Sequence, residues 1–164
     1  MRLVVSNTGP LIHLTEANKL ELLRLTGDAH IPRAVEAELA RYTLLWHSPT
    51  WLSIDDLTEP HRTDAVTWQR AGLIDAGEAE AIALAKQLHA DWLFTDDAAA
   101  RLLAQTLGLE VHGSLGVVLW AATTGHLNQE EAEKTLEDLA QSSLWLSPKV
   151  LKQVRTALDQ LYAE

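Results

Sequence analysis

At 164 residues with 47% hydrophobic side chains, the chain is long enough for one domain that buries roughly two-thirds or more of its unfolded surface, so residues 1–164 are read as a single unit. It contains no cysteine, which excludes disulfides, zinc–thiolate and iron–sulfur sites, and thiol catalysis. With 13 Lys plus Arg against 23 Asp plus Glu, the formal charge is −10. Such a surface repels phosphate backbones, so a nucleic-acid role needs bound cations, a local basic patch or a partner protein.

Residues 1–7 turn polar too soon for a signal peptide, and no apolar run approaches the ~18–20 residues of a membrane span. A cytoplasmic protein without a membrane partner is expected. Leu3-Val4-Val5 predicts a buried strand that breaks at Ser6-Asn7-Thr8-Gly9-Pro10, with Pro10 at the first helical position. The leucines at 11, 14, 20, 22, 23 and 25 then give an apolar helical face, divided near Asn18 and stopped at Gly27. Residues 29–31 predict a short strand and Pro32 a helix start, with Val35 and Leu39 facing inward and Glu36 and Glu38 between them. From 41 to 72 the periodicity fades, although residues 51–54 alternate as a strand does and 63–70 suit a helix.

Asp75-Ala76-Gly77-Glu78 opens an alanine-rich helix to Leu88, with Ile82, Ala85 and Leu88 on its inward stripe. Residues 91–95 form the next strand and close on Asp96-Asp97. A helix over 98–107, a strand over 109–112 and an apolar helix from Gly113-Ser114 to Ala122 follow. Residues 126–164 form a helical extension in which Asn128 and Ser147 are caps and Pro148 sits in a first turn. Alternating strands and helices predict an α/β chain with a mostly parallel central sheet, helices on both faces and extra C-terminal helices.

Open α/β sheets place their chemistry beyond the carboxyl ends of the strands. Asn7 and the Asp96-Asp97 pair stand at two such ends, Glu78 stands at a helix start and Glu38 one turn into its helix. These oxygens suit a hard divalent cation such as Mg²⁺ or Mn²⁺, and phosphodiester hydrolysis uses such ions. Each position also has a structural use: Glu78 is spaced from Asp75 as in a capping box, Asp96-Asp97 precede a helix, Asn7 can steady its turn, and Glu38 can be plain surface. The seven histidines show no pair at ligand spacing, and the six tryptophans are spread along the chain as core and interface anchors.

The ordered set Ser6-Asn7-Thr8-Gly9-Pro10-Leu11-Ile12, Ile31-Pro32 with Glu38-Leu39, Asp75 to Ala85, Thr95-Asp96-Asp97 and Gly113-Ser114-Leu115-Gly116-Val117 resembles the PIN-domain family. The likeness is to a poorly characterised prokaryotic branch related to the VapC-type toxins. It implies a metal-dependent ribonuclease using Mg²⁺ or Mn²⁺, the toxin half of a toxin–antitoxin pair, with an RNA substrate, an antitoxin partner and a homodimeric state. It also implies that Asn7, Glu38, Glu78 and Asp96 are the catalytic set, with Glu78, Asp96, Asp97 and Asn7 on the metal and Thr95 and Ser114 in support. Asn7 stands where the family has Asp, and Gly9 where it often has Ser or Thr.

Basic contacts to RNA would come from Arg33, Arg41, Lys86 or Arg101, and a dimer surface from the helix over 116–122 and exposed tryptophans. The alternative function is a non-catalytic PIN-like protein-binding module, consistent with Asn7 and the acidic surface. A phosphatase or receiver-like protein is disfavoured, because Asn7 cannot serve as nucleophile or phosphate acceptor.

Overall fold

The computed structural model describes residues 1–44 and 46–163. Leu45, inside the stretch 41–72 where the periodicity fades, and Glu164, at the end of the expected helical extension, lie outside the described residues. The elements alternate as expected: β1 (Leu3–Ser6), α1 (Thr8–Glu16), α2 (Glu21–Thr26), β2 (Asp28–Pro32), α3 (Arg33–Tyr42), β3 (Leu52–Asp55), α4 (His61–Arg70), α5 (Ala76–Gln87), β4 (Trp92–Phe94), α6 (Ala98–Thr106), β5 (Val111–His112), α7 (Ser114–Thr123), α8 (Gln129–Ala140) and α9 (Pro148–Leu161).

Among the described residues, five strands form one all-parallel sheet in the order β3-β2-β1-β4-β5. The order reverses between β1 and β4, where Val5 pairs with Leu93 and Ser6 with Phe94. That pair of strand ends is the switch point of the sheet, and crossovers leaving it in opposite directions open a crevice there. Successive strand residues point to opposite faces, yet Val4, Val5, Ser6, Leu93 and Phe94 are all buried. Helices therefore cover both faces.

The alanines of α5 let it approach the sheet closely, and it touches β1, β2 and β4 as well as α3, α4 and α6. Ala79, Ala81, Ile82, Ala83, Leu84 and Ala85 are all buried, so α5 is enclosed nearly all round where the sequence pattern indicated a single inward stripe. α7 is likewise covered by α2, α8 and α9, and its Val117, Val118, Ala121 and Ala122 are core. The expected dimer surface on this helix is thus largely spent within the molecule. Of the tryptophans, Trp92 and Trp120 meet edge to face at 6.3 Å, with the Arg2 guanidinium 3.7 Å over the Trp92 ring.

One boundary differs from the sequence expectation, and the break expected near Asn18 is present. α1 begins at Thr8, so Pro10 lies in the third helical position, where its missing N–H costs nothing because the first four amide donors have no partner within the helix. The apolar run near Asn18 breaks because that residue adopts φ +60, a left-handed conformation that ends α1 and redirects the chain into α2.

Candidate functional site

Four chain segments arrive at the β1–β4 edge and are tied to one another. Asn7 leaves β1 with its N–H donating to the Phe94 carbonyl at 2.8 Å. It occupies the N-cap position of α1, but its side chain makes no cap bond, so the structural use open to it in sequence, steadying its turn, is not made by a cap. Its Nδ2 instead donates to Thr95 Oγ1 at 3.2 Å. The same Thr95 hydroxyl accepts from the Asp97 N–H at 3.3 Å. Asn7 Oδ1 is buried and has no hydrogen-bond partner, an open acceptor in a place where nearly all polar atoms are satisfied.

Asp96 follows β4 and is held from both sides. Its Oδ1 accepts from the Ser114 N–H at 2.7 Å and its Oδ2 from the Ser114 hydroxyl at 2.6 Å. His13 Nδ1 lies 2.7 Å from the same Oδ2. Burial alone would raise this carboxyl's pKa, but the bonds from His13 and Ser114 outweigh it and hold the group below the usual carboxylate value. Asp96 is therefore an anion with a fixed orientation. Gly9 packs against this pair: a Cβ there would lie 3.6 Å from His13 Cε1 and 3.8 Å from Asp96 Cβ.

Glu38 reaches in from α3. It accepts from the Thr8 hydroxyl and, at 3.1 Å, from the Gly77 N–H. A Cβ at Gly77 would overlap the Glu38 carboxylate, so the glycine is what lets α3 and the start of α5 share this acid. Glu36, its neighbour in sequence, stays at the surface 3.9 Å from Arg33.

Glu78 forms a complete capping box with Asp75. Its N–H donates to Asp75 Oδ1 at 2.8 Å, and its Oε2 accepts from the Asp75 N–H at 3.3 Å. Burial first, then the charges of Asp75 and Asp97, push its carboxyl up to about 7. Asp97 caps α6 by accepting from the Ala100 N–H at 2.9 Å, so the capping role open to this acid pair belongs to Asp97 and not to Asp96.

The contacts close a circuit: Asn7 to Thr95, Thr95 to Asp97, Asp97 electrostatically to Glu78, Gly77 beside it to Glu38, and Glu38 through Thr8 back to Asn7. All seven side chains singled out in the sequence thus gather at one edge, with Ser114 fixing Asp96. Two partners were not anticipated, Thr8 and His13. Thr8 follows from the true start of α1, which places it on the first helical turn rather than in a loop. For His13, whose role depends on a partner 83 residues away, no local signal exists.

In donor type the set suits a hard divalent ion: Asn7 Oδ1 is an open acceptor, and Glu78, raised first by burial and then by the charges of Asp75 and Asp97, is a carboxyl whose anion a nearby cation would favour. Among the described residues, no group of three or more His, Asp or Glu side chains is arranged to hold a metal. Of the expected basic contacts, Arg101 lies at the site and donates to the Thr95 carbonyl at 3.3 Å. Arg33 is engaged by Asp56 at 2.9 Å. Lys86 stands in the last turn of α5, roughly 12 Å along the helix from Glu78. No helix among the described residues is long and apolar enough to cross a membrane.

A family model described as a PIN domain matches residues 3–160. No curated protein matches the sequence.

Proposed function

The chain belongs to the PIN-domain family, a nuclease-type fold, and from that premise we propose that it is a Mg²⁺- or Mn²⁺-dependent endoribonuclease, the toxin of a VapC-related toxin–antitoxin pair. The observation that carries the proposal is the unpartnered, buried Asn7 Oδ1 at the switch point, next to Thr95 and within one circuit that includes Glu38, Glu78 and Asp97, with Asp96 following Thr95 in the chain. Glu78, Asp96, Asp97 and Asn7 would hold the ion. When bound, such an ion polarises the phosphate and brings a water molecule's pKa toward neutrality.

The chain's own residues prepare that chemistry. His13 and Ser114 keep Asp96 ionised and oriented. Thr8 and the Gly77 amide hold Glu38 at the same edge, where its carboxylate can accept a proton from the attacking water. Glu78, with its carboxyl near 7, would be held as the anion beside a bound cation. In this reading the enzyme acts in the cytoplasm on RNA, as a homodimer restrained by an antitoxin.

The test is cleavage of single-stranded RNA with Mn²⁺ added. Activity should vanish with a chelator and in Asp96→Asn, whereas cleavage persisting in that variant overturns the assignment. The toxin role predicts growth arrest on expression, relieved by the cognate antitoxin.

One observation favours a second reading, a non-catalytic PIN-like module that binds a protein. Both Asp96 oxygens are already satisfied within the chain, and the amide at position 7 supplies no charge. Thermal unfolding with added Mn²⁺ separates the two. A shift in the native protein supports the nuclease, while a shift seen only in Asn7→Asp supports the module.

A further inference from the structure

Beside Asp96, on the side away from Asn7, lies a cleft of about 300 Å³ formed with Arg101, His112, Leu115 and, from the connection between α8 and α9, Leu144 and Trp145. This size is at the small end of ligand sites, room for one nucleotide unit rather than a folded partner. We propose that the cleft is a nucleotide subsite, in which Arg101 meets a phosphate and Trp145 stacks against a base of a single-stranded nucleic acid. The proposal rests on the nuclease reading of the neighbouring edge and names how its substrate is gripped.

Trp145 is 81% exposed, although its neighbours Leu144 and Leu146 pack against the core. The segment that carries it is tied down. Ser143 donates to Glu16 Oε1 from its N–H at 3.2 Å and its hydroxyl at 2.5 Å, and the Leu144 N–H donates to Ser142 Oγ at 3.2 Å. An indole is thereby presented to solvent on an anchored support, at the mouth of a cleft whose other wall is the candidate catalytic carboxylate. An aromatic face in this setting is a stacking platform.

Arg101 supplies the charge. Its guanidinium donates to the Thr95 carbonyl and, among the described residues, forms no ion pair. Gly113 separates it from Asp96: a Cβ there would fall 2.7 Å from both Arg101 Nη1 and Asp96 Oδ1. Only glycine leaves room for the cation and the carboxylate to stand on either side of one backbone position.

The overall charge of −10 makes this division of labour necessary. A protein of that sign gains little from general phosphate neutralisation, whereas stacking on a ring face is indifferent to net charge and to base identity. One unpaired arginine plus one exposed indole is the arrangement that lets an acidic protein hold a single strand next to Asp96.

The test is fluorescence anisotropy of a 5′-fluorescein hexauridine titrated with the full chain in EDTA, so that binding is read without cleavage. Trp145→Ala should weaken binding about 5- to 100-fold, and Trp145→Phe should recover most of it. Arg101→Ala should weaken it and reduce the salt slope by about 1. No binding by the native protein, or equal binding by Trp145→Ala, overturns the subsite. A fall in sedimentation mass in Trp145→Ala overturns it too, by making the patch a self-association surface. Oligonucleotide binding that depends on Trp145 without any RNA cleavage keeps the subsite and removes the nuclease. Cleavage with unchanged KM in Trp145→Ala does the reverse.

Discussion

His13 Nδ1 lies 2.7 Å from Asp96 Oδ2, and the two side chains are only 14% and 11% exposed. Burial by itself would raise the Asp96 carboxyl's pKa, yet the bonds from His13 and Ser114 leave it lowered. A lowered folded pKa gives stability that is present above the ordinary carboxylate value and lost as pH falls through the folded value. His13→Ala removes one of the compensating bonds, so the remaining desolvation should push the carboxyl up and move the acid loss of stability to higher pH. Hydrogen bonds to charged groups are worth roughly 1.5–3 kcal/mol, and urea unfolding at pH 7 should fall by that order. His13→Gln, which keeps a donor, should recover part of it. Superimposable curves for His13→Ala and the native protein at pH 7 and pH 4 would remove this role.

Glu78 shifts the other way, to about 7, because burial and then the charges of Asp75 and Asp97 disfavour its anion. A raised folded pKa means that its contribution is fully present below about pH 4.5 and is lost as pH climbs through 7. Glu78→Gln keeps the capping-box acceptor without the charge. The variant should therefore be more stable than the native protein at pH 8, by about 1 kcal/mol after allowing for solvent screening, and no more stable at pH 4. Mn²⁺ should stabilise the native chain at pH 8 by relieving the same repulsion, and the variant less. Thermal unfolding at both pH values, with and without the ion, reads all four quantities.

His30 makes a separate contribution on β2, facing the edge strand β3. Its Nδ1 lies 2.6 Å from Asp55 Oδ2 and its Nε2 3.1 Å from Asp28 Oδ2, and only an imidazolium donates from both nitrogens. Burial lowers the histidine's pKa, but the two aspartates more than reverse this and leave it raised. The stability it adds is present below the ordinary histidine value near 6.5 and is lost as pH rises through the raised one. His30→Gln should flatten the decline above pH 6.5, by an amount on the order of 1 kcal/mol or less because Asp28 is half exposed. An unchanged slope in His30→Gln would assign the decline to Glu78 alone.

The order of elements was legible because each carries its own local signal. β1 shows a β-branched run, α5 an alanine-rich segment behind Asp75, and α8 and α9 begin at Asn128 and Ser147, which do cap them. Residues 41–72 were harder to read because β3 is four residues long and α4 buries only Ala65, so neither imposes a strong period. At the site, the acids were readable from position along the chain. Their bonding was not, since Glu38 is fixed by Thr8 and Gly77, 30 and 39 residues away, and Asp96 by His13 and Ser114, 83 and 18 residues away. Such pairings exist only once the sheet order brings strand ends together. The bonding of Asn7 is of the same kind, because its Nδ2 donates to Thr95, which follows β4 and lies 88 residues away, and its Oδ1 is left without a partner.

Gly77 offers a way to ask whether Glu38 takes part in catalysis without altering the acid itself. Its N–H holds Glu38 Oε1 at 3.1 Å, and any Cβ would overlap that carboxylate. Gly77 lies in the first turn of α5, where alanine suits the helix better than glycine by up to roughly 1 kcal/mol. Gly77→Ala sets a gain in helix preference of up to roughly 1 kcal/mol against lost hydrogen bonds to a charged group worth roughly 1.5–3 kcal/mol, so unfolding free energy should fall by roughly 1–2 kcal/mol while the fold is kept. The Glu38 carboxylate must nevertheless turn away from Thr8 and the α5 amide. If Glu38 accepts the proton of the attacking water, RNA cleavage by Gly77→Ala should fall at least 10²-fold, the usual weight of a positioned general base, and as far as it does in Glu38→Gln. The loss should lie in kcat with KM unchanged, because the substrate's grip through Arg101 and Trp145 is elsewhere. Full activity in Gly77→Ala together with loss in Glu38→Gln would mean that the acid works from a position other than the one its bonds to Thr8 and Gly77 define.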